Sequence, residues 1–359
     1  MGVIMFIPSF ETLQSYIDRG LVGRTDMGDL SIYNYTVGCQ YSHAWDDVTM
    51  ACRGLVLNRV TGEVVALPFG KFLNYGEDPE QVLPEGIPVA TVKYDGSLGI
   101  SFRHPETGDI VWTTRGSFYS TQAAEANRLW QASYAHVQIP NEFTLMAEII
   151  SPETRVVVDY GDREDLVLLG IRNRFTGEDL SYEEVVAWGQ NWGIPVTERV
   201  SGDLESLVKL AKTLTHDNEG FVLRWPNGFR VKVKGQEYCL VARILSRFTP
   251  RTIGDVWYHD RVDIFDALPE THRQEYLEAL AELRQGYDAW MQEFEAFSQP
   301  YLHLTAREAA AQVGGIKPFG SMVLARINGR HLDTRKTFYK SRFPGDPRPL
   351  EVSLDDDAF

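Results

Sequence analysis

The spacing of the apolar residues changes once along this chain, near residue 243, and that change limits the folds open to it. Before it, short runs of alternating apolar and polar residues read as strands: LSIYNYTV (30–37), CRGLVLNRVTGEVVALPF (52–69), TVKYDGSLGISF (91–102), FTLMAEII (143–150) and EDLVLLGIRN (164–173). Thr-Gly turns in NRVTGEVV and RHPETGDIVW, and Pro-Asn-Gly in EGFVLRWPNGFRVKVKG (219–235), mark hairpins. Helical segments punctuate the strands at 9–20, 120–134, 181–193 and 203–214; the third opens on a capping box, Ser181 to Glu184, and stops at Gly193. Beyond 243 the strand pattern ends. Tyr276, Leu280, Leu283, Tyr287, Trp290, Phe294 and Phe297 recur at helical spacing, and a second capping box joins Thr305 to Glu308. The pattern predicts an α+β fold. A domain over 1–243 is built on antiparallel sheets with flanking helices, and a smaller all-helical domain covers 244–359.

A length of 359 residues accommodates two cores, and 43% apolar with 12% aromatic residues is the composition of a folded protein. Cys39, Cys52 and Cys239 have no paired or metal-like spacing, which suits a reducing cytosol. No apolar run is long enough to span a membrane, and the opening MGVIMFIPSF has no basic leader; Phe6 stands where a myristoylation signal needs a hydroxyl residue. The proline- and aspartate-rich end, FPGDPRPLEVSLDDDAF, reads as frayed. The net charge of −15 argues against a protein that coats nucleic acid without specificity. Local charge differs: between Gly228 and Thr252, six cations (Arg230, Lys232, Lys234, Arg243, Arg247, Arg251) meet one acid, Glu237. A solvated charged face is the plain alternative.

Lys93 ends a strand pattern and is followed at once by Asp95-Gly96, a favoured hairpin turn. It is either a lysine beside a turn, pointing into water, or a nucleophile. A nucleophilic lysine has to lose its proton, which burial or neighbouring cations promote. In VKVK, Lys232 and Lys234 point to one face of a strand, where they would face Lys93 and clamp a phosphate. Glu148 interrupts FTLMAEII and Glu219 opens EGFVLR. Acids in such apolar settings are site candidates, able to place a metal or hold sugar hydroxyls; strand-edge salt bridges are the alternative. Arg53 and Lys71 are either site cations or snorkelling side chains. No histidine or cysteine cluster has zinc spacing, and neither GxxxxGK nor GxGxxG occurs.

The ordered series KYDG (93–96), LMAEII around Glu148, EGFVLR (219–224) and VKVK (231–234) resembles that of the covalent nucleotidyltransferases, the superfamily of polynucleotide ligases and RNA-capping enzymes. YNY (33–35), CRG (52–54), KFLN (71–74), RGS (115–117) and SPETR (151–155) narrow the likeness to the bacteriophage-type RNA ligase 1 family, over roughly residues 30–240. The resemblance implies that 1–243 is an adenylyltransferase domain and that Lys93 is joined to AMP. It implies that Asp95 and Gly96 shape the turn, that Glu148 holds the ribose, and that Glu148 and Glu219 place a metal ion, Mg2+ or Mn2+. Lys232 and Lys234 would bind the α-phosphate. Arg53, Lys71 and Tyr33 would orient the ATP phosphates, and Arg115 would lie near the nucleotide or the RNA end. LVLLGIRN offers no aromatic ring to stack on adenine.

The activity so implied is ATP-dependent joining of RNA 5′-phosphate and 3′-hydroxyl ends. The implied substrate is single-stranded RNA or a broken tRNA loop, with a polynucleotide kinase-phosphatase upstream, in a cytoplasm that is the host's if the gene is a phage's. A capping guanylyltransferase or DNA ligase is the enzymatic alternative, and a non-catalytic RNA-binding protein the other. The first two usually carry an OB-fold after the KxK motif, where this chain reads as helices. The helical domain, with basic residues at 243–251 and 330–342, is expected to choose the RNA.

Overall fold

The predicted strands pair antiparallel, some in hairpins and some between distant parts of the chain, and they form three separate sheets. The computed structural model describes residues 6–350, and the chain divides into two units, one ending at Tyr238 and the other starting at Cys239. The expectations about a leader or lipid signal in MGVIM, and about fraying over 351–359, lie outside the described residues.

The first unit opens with α1 (Phe10–Asp18), β1 (Val22–Met27) and β2 (Leu30–Tyr35). Two short helices, α2 (Val37–Tyr41) and α3 (Asp47–Ala51), precede β3 (Arg53–Asn58) and β4 (Val64–Ala66). The four strands form one sheet in chain order. There follow β5 (Val89–Lys93), β6 (Ser97–Arg103), β7 (Ile110–Thr114), α4 (Thr121–Leu129), β8 (Phe143–Ile150) and β9 (Asp165–Asn173). Then come α5 (Tyr182–Trp192), β10 (Arg199–Val200), α6 (Leu204–Ala211), β11 (Gly220–Arg224) and β12 (Arg230–Lys234). These strands make two more sheets, ordered β10-β5-β11-β12 and β7-β6-β8-β9. The boundary between the units falls inside α7 (Gln236–Ser246).

Alternation decides which face of each sheet is buried. In the second sheet Ala90, Phe221, Leu223, Val231 and Val233 pack on Leu207 and Ala211 of α6. Register puts Thr91, Lys93, Val222, Lys232 and Lys234 on the opposite face. In the third sheet Leu145, Ala147 and Ile149 of β8 pack under α4 and α5, with Trp130 and Trp192. Glu148, between Ala147 and Ile149, therefore turns to the other face, opposite Leu98 of β6.

The second unit has no strand among its described residues; after α7 it holds α8 (Pro250–Tyr258), α9 (Glu270–Ser298), α10 (Ala306–Val313), α11 (Phe319–Ile327) and α12 (Thr334–Arg342). Phe294, Val313, Met322 and Val323 form its buried centre. Both capping boxes form as read, on Ser181 and Thr305, and Gly193 ends α5 in the left-handed conformation. The helix expected over 120–134 forms, α-helical to Leu129 and widening into a π-turn over Trp130–Tyr134. One reading needs correction: residues 343–350, expected to fray, are tied down instead. The Arg348 backbone N–H and Nε donate to buried Asp255 at 3.0 and 2.8 Å, and Arg243 donates to the Leu350 carbonyl. No helix among the described residues is long and apolar enough to cross a membrane.

Candidate active site

Lys93 is the last residue of β5. Its register partner on β11 is Gly220, and Gly220 in turn pairs with Lys234 on β12. A residue without a side chain thus stands between the two lysines on their shared face. Glu219, one residue earlier and 4% exposed, fills the space with its carboxylate. Its oxygens lie 2.7 Å from Lys93 Nζ and 3.4 Å from Lys234 Nζ. The two β12 lysines thus share the face of Lys93, and the Glu219 carboxylate lies between Lys93 and Lys234, offsetting charge in a poorly hydrated cluster.

The turn after Lys93 is held from three directions. Asp95 Oδ2 accepts from the backbone N–H groups of Val157 and Val158, both at 2.7 Å, and Oδ1 accepts from Tyr238 Oη at 2.6 Å. The Asp95 N–H donates to Tyr160 Oη. Burial pushes the Asp95 carboxyl above its usual range, with Glu219 adding to the effect, while these donors oppose it. Gly96 is needed for close approach: a Cβ there would meet the Ile149 carbonyl oxygen at 2.4 Å and Glu148 Cγ at 3.1 Å. The turn therefore lies directly on β8 beside Glu148. Burial pushes the Glu148 carboxyl up to about 7; Lys93 and Arg53 oppose the rise, and Glu219 and Asp95 add to it. Glu148 carries no ion pair or side-chain hydrogen bond among the described residues.

A second group of cations collects around aromatic rings. Arg53 and Lys232 lie 5.6 and 5.9 Å from the Phe72 ring of KFLN. Lys71, 6% exposed, lies 5.0 Å from the Trp45 ring and 5.8 Å from Tyr35. Arg115 donates to Tyr35 Oη at 2.6 Å, and its backbone packs against Gly54, next to Arg53. Tyr33 does not join them. Its ring is buried with Leu13, Val48, Leu55 and Leu67, and the charges near its hydroxyl are Arg24, Asp26 and Arg59. A register shift between Tyr33 and Asn34 separates it from Tyr35, the tyrosine that meets Arg115.

Sequence reasoning missed Tyr35, Trp45, Phe72, Tyr160 and Tyr238. Tyr35 and Phe72 carried a signal, as the second tyrosine of YNY and the aromatic of KFLN; Tyr238 reaches Asp95 across 143 residues with none. No group of three or more His, Cys, Asp or Glu that could hold a metal ion occurs among the described residues, so Glu148 and Glu219 do not belong to an all-protein cage. In the helical unit several expected RNA-facing cations have acidic partners: Lys336 and Lys340 with Asp346, at 3.2 and 2.8 Å, and Arg335 with Asp260 at 3.5 Å. Arg330 and Arg342 are exposed.

The cluster combines a strand-end lysine, buried carboxylates and cations drawn from β3, β12 and two loops. The same stretch is where the chain matches known proteins. Residues 51–238 match the RNA ligase family. An RNA ligase of Rhodothermus phage RM378 is 22% identical, over 98% of this chain and 94% of its own length. Among solved structures, an archaeal ATP-dependent RNA ligase covers 76% of this chain and 75% of its own at 15% identity, with a TM-score of 0.47. A Naegleria gruberi RNA ligase mutant with ATP and Mn covers 41% of this chain and 48% of its own at 18% identity, with a TM-score of 0.34. The family match takes in Arg53, Lys71, Lys93, Glu148, Glu219 and both β12 lysines, and on that ground this chain belongs to the RNA ligase family.

Proposed function

We propose that this RNA ligase is ATP-dependent and works through AMP carried on Lys93. The observation that supports this most is the pairing of Lys93 Nζ with Glu219 at 2.7 Å, on a sheet face shared with Lys232 and Lys234. In the first step Nζ forms a bond to the α-phosphorus of ATP and pyrophosphate leaves. An ammonium has no lone pair for this, so the Lys93–Glu219 pair opens and the ammonium gives up a proton to solvent water before attack. Lys232 and Lys234 then face the charge that builds on the phosphoryl oxygens. In the second step an RNA 5′-phosphate oxygen takes the AMP and the P–N bond breaks. In the third an RNA 3′-hydroxyl attacks that 5′ phosphorus and AMP leaves.

The residues present fit both groups the reaction needs. Glu148, 8% exposed and without a polar partner among the described residues, is a buried acceptor for a ribose hydroxyl or a metal ion. Glu148 and Glu219 would hold a divalent ion, Mg2+ or Mn2+. With only two protein carboxylates, phosphate and water oxygens would complete its shell. Such an ion offsets triphosphate charge when bound. Arg53, Lys71 and Arg115 suit the outer phosphates or the RNA 5′ end.

The finer assignments rest on the family resemblance. The substrate is RNA with a 5′-phosphate and 3′-hydroxyl, single-stranded or a broken tRNA loop, and a kinase-phosphatase prepares such ends. The helical part from 244 on contributes to choosing the RNA. The three free cysteines suit the cytosol. One assay tests the reading: a 5′-phosphorylated RNA is incubated with the protein and ATP, GTP or no nucleotide. ATP-specific sealing, with an adenylylated RNA intermediate, is expected. Sealing with GTP alone, or none with any nucleotide, contradicts it.

A further inference from the structure

Residues 68–75 leave β4 and run beside β12 as a strap with no ladder of their own. The Lys232 N–H donates to the Leu73 carbonyl at 3.0 Å, and the Tyr75 N–H to the Lys232 carbonyl at 2.8 Å. The strap carries Lys71 and Phe72, the ring shared by Arg53 and Lys232. Its upstream end enters a buried charge cluster at the end of β12 away from Lys234. Arg172 of β9 donates from Nη1 to the Pro68 carbonyl at 2.7 Å and from Nε to Asp179 Oδ1 at 2.5 Å. Arg230, the first residue of β12, donates from Nη2 to Asp179 Oδ2 at 2.7 Å. The Phe69 ring lies against both guanidiniums, 4.0 Å from that of Arg230 and 5.7 Å from that of Arg172. It sits close on β9 because Gly170 has no side chain; a Cβ there would meet Phe69 Cζ at 2.5 Å.

The side chains of Arg172, Asp179 and Arg230 are 8%, 5% and 8% exposed. A third guanidinium, Arg224, donates to the Leu180 carbonyl, and Glu183 and Glu184 face it. Buried ion clusters are a poor route to stability, since apolar residues of similar volume usually serve as well. What guanidiniums add is direction: two forked donors fix one carboxylate, one ring and the carbonyls of Pro68 and, at 3.0 Å from Arg230 Nη1, Gly228. Pro68 and the ring's residue, Phe69, stand three and two positions before the strap's cation, Lys71.

We infer that Arg172, Asp179 and Arg230 are positioning residues for nucleotide binding, a buried clamp that fixes the 68–75 strap and with it Lys71, Phe72 and Lys232. The inference rests on the ATP reading above. The clamp touches no reacting atom. It sets where the phosphate-facing cations stand, so its loss weakens ATP binding more than it slows the chemical step.

The test is covalent labelling by ATP in the full-length protein, read as KM for ATP and as rate at saturation, beside the melting temperature. The triple variant R172M/D179L/R230M replaces the cluster with apolar volume. If it melts like the wild type, KM for ATP is expected to rise about tenfold with the saturated rate little changed. A wild-type KM in that folded variant overturns the inference, because the cluster is then packing only. If the triple variant does not fold, R172K decides. It keeps the charge but replaces the rigid planar fork, which holds Asp179 and the Pro68 carbonyl from two separate nitrogens, by a single ammonium on a flexible stem. A raised KM supports the clamp, and an unchanged one overturns it. Wild-type protein that takes no label from ATP overturns the ATP reading itself, an outcome distinct from a clamp failure in a protein that labels.

Discussion

Glu148 is a site carboxylate whose chemistry is strongly displaced by its surroundings. It sits on a strand otherwise committed to the core, and burial lifts its carboxyl to about 7 from the ordinary 4.5. The unfolded chain releases this proton near 4.5, and the folded chain holds it until about 7. The folded state binds more protons across that window, so its stabilising protonation is complete below about 4.5 and is lost as pH rises through about 7. Thermal melts in chelated, nucleotide-free buffer are therefore expected to fall across the window. Glu148→Gln, which stays neutral, is expected to flatten that fall. An equal slope in the variant would place the proton elsewhere. The same variant should label poorly with ATP, since an amide is a weaker acceptor for a ribose hydroxyl and a poor metal ligand.

At the scale of elements, β5, β11 and β12 form the working face. Lys232→Ala and Lys234→Ala are each expected to slow label uptake from ATP by about 10²-fold or more, the range for losing one preorganised donor to a charged transition state. Quenched-flow labelling measures this, and normal uptake in both variants would make the lysines a solvated face. Much of this face was legible. Pro-Asn-Gly announced the hairpin, the period of two put Lys232 and Lys234 together, and a glutamate in FTLMAEII stood out against its apolar neighbours. The rest depends on contacts with no local signature. Nothing near Glu219 announces that it reaches Lys93 and Lys234, and nothing in QEYCL tells that Tyr238 holds Asp95. Helices α2 and α3 were missed because five-residue helices are too short to show a period; only their caps, Thr36 and Asp46, mark them. YNY itself does not tell which tyrosine meets Arg115, because a register shift leaves no mark in it.

Across the whole molecule, a net charge of −15 repels RNA, so attraction has to be local. The basic stretch at 330–342 looked uniform in sequence, but its members differ. Lys336 and Lys340 share Asp346, whereas Arg330 is exposed. For a single strand, each phosphate that a cation neutralises adds about 0.7 to the steepness with which log affinity falls against log salt. Arg330→Ala is expected to lower that steepness for RNA binding by this order, and Lys340→Ala to leave it nearly unchanged. Filter binding over a salt series measures both. A larger change at Lys340 would mean that RNA displaces Asp346. The helical part supplies none of the residues around Lys93 described above, so neither substitution should alter labelling by ATP.

The central claim is that Lys93 Nζ carries the AMP. Incubation of wild-type protein, Lys93→Ala and Lys93→Arg with α-labelled ATP and a divalent metal, followed by denaturing electrophoresis, tests it most directly. Label is expected on the wild type alone, in an acid-labile, base-stable linkage typical of a phosphoramidate. Arginine keeps the positive charge but does not deprotonate, so it should fail as alanine does. Label retained by folded Lys93→Ala at the wild-type level would contradict the account.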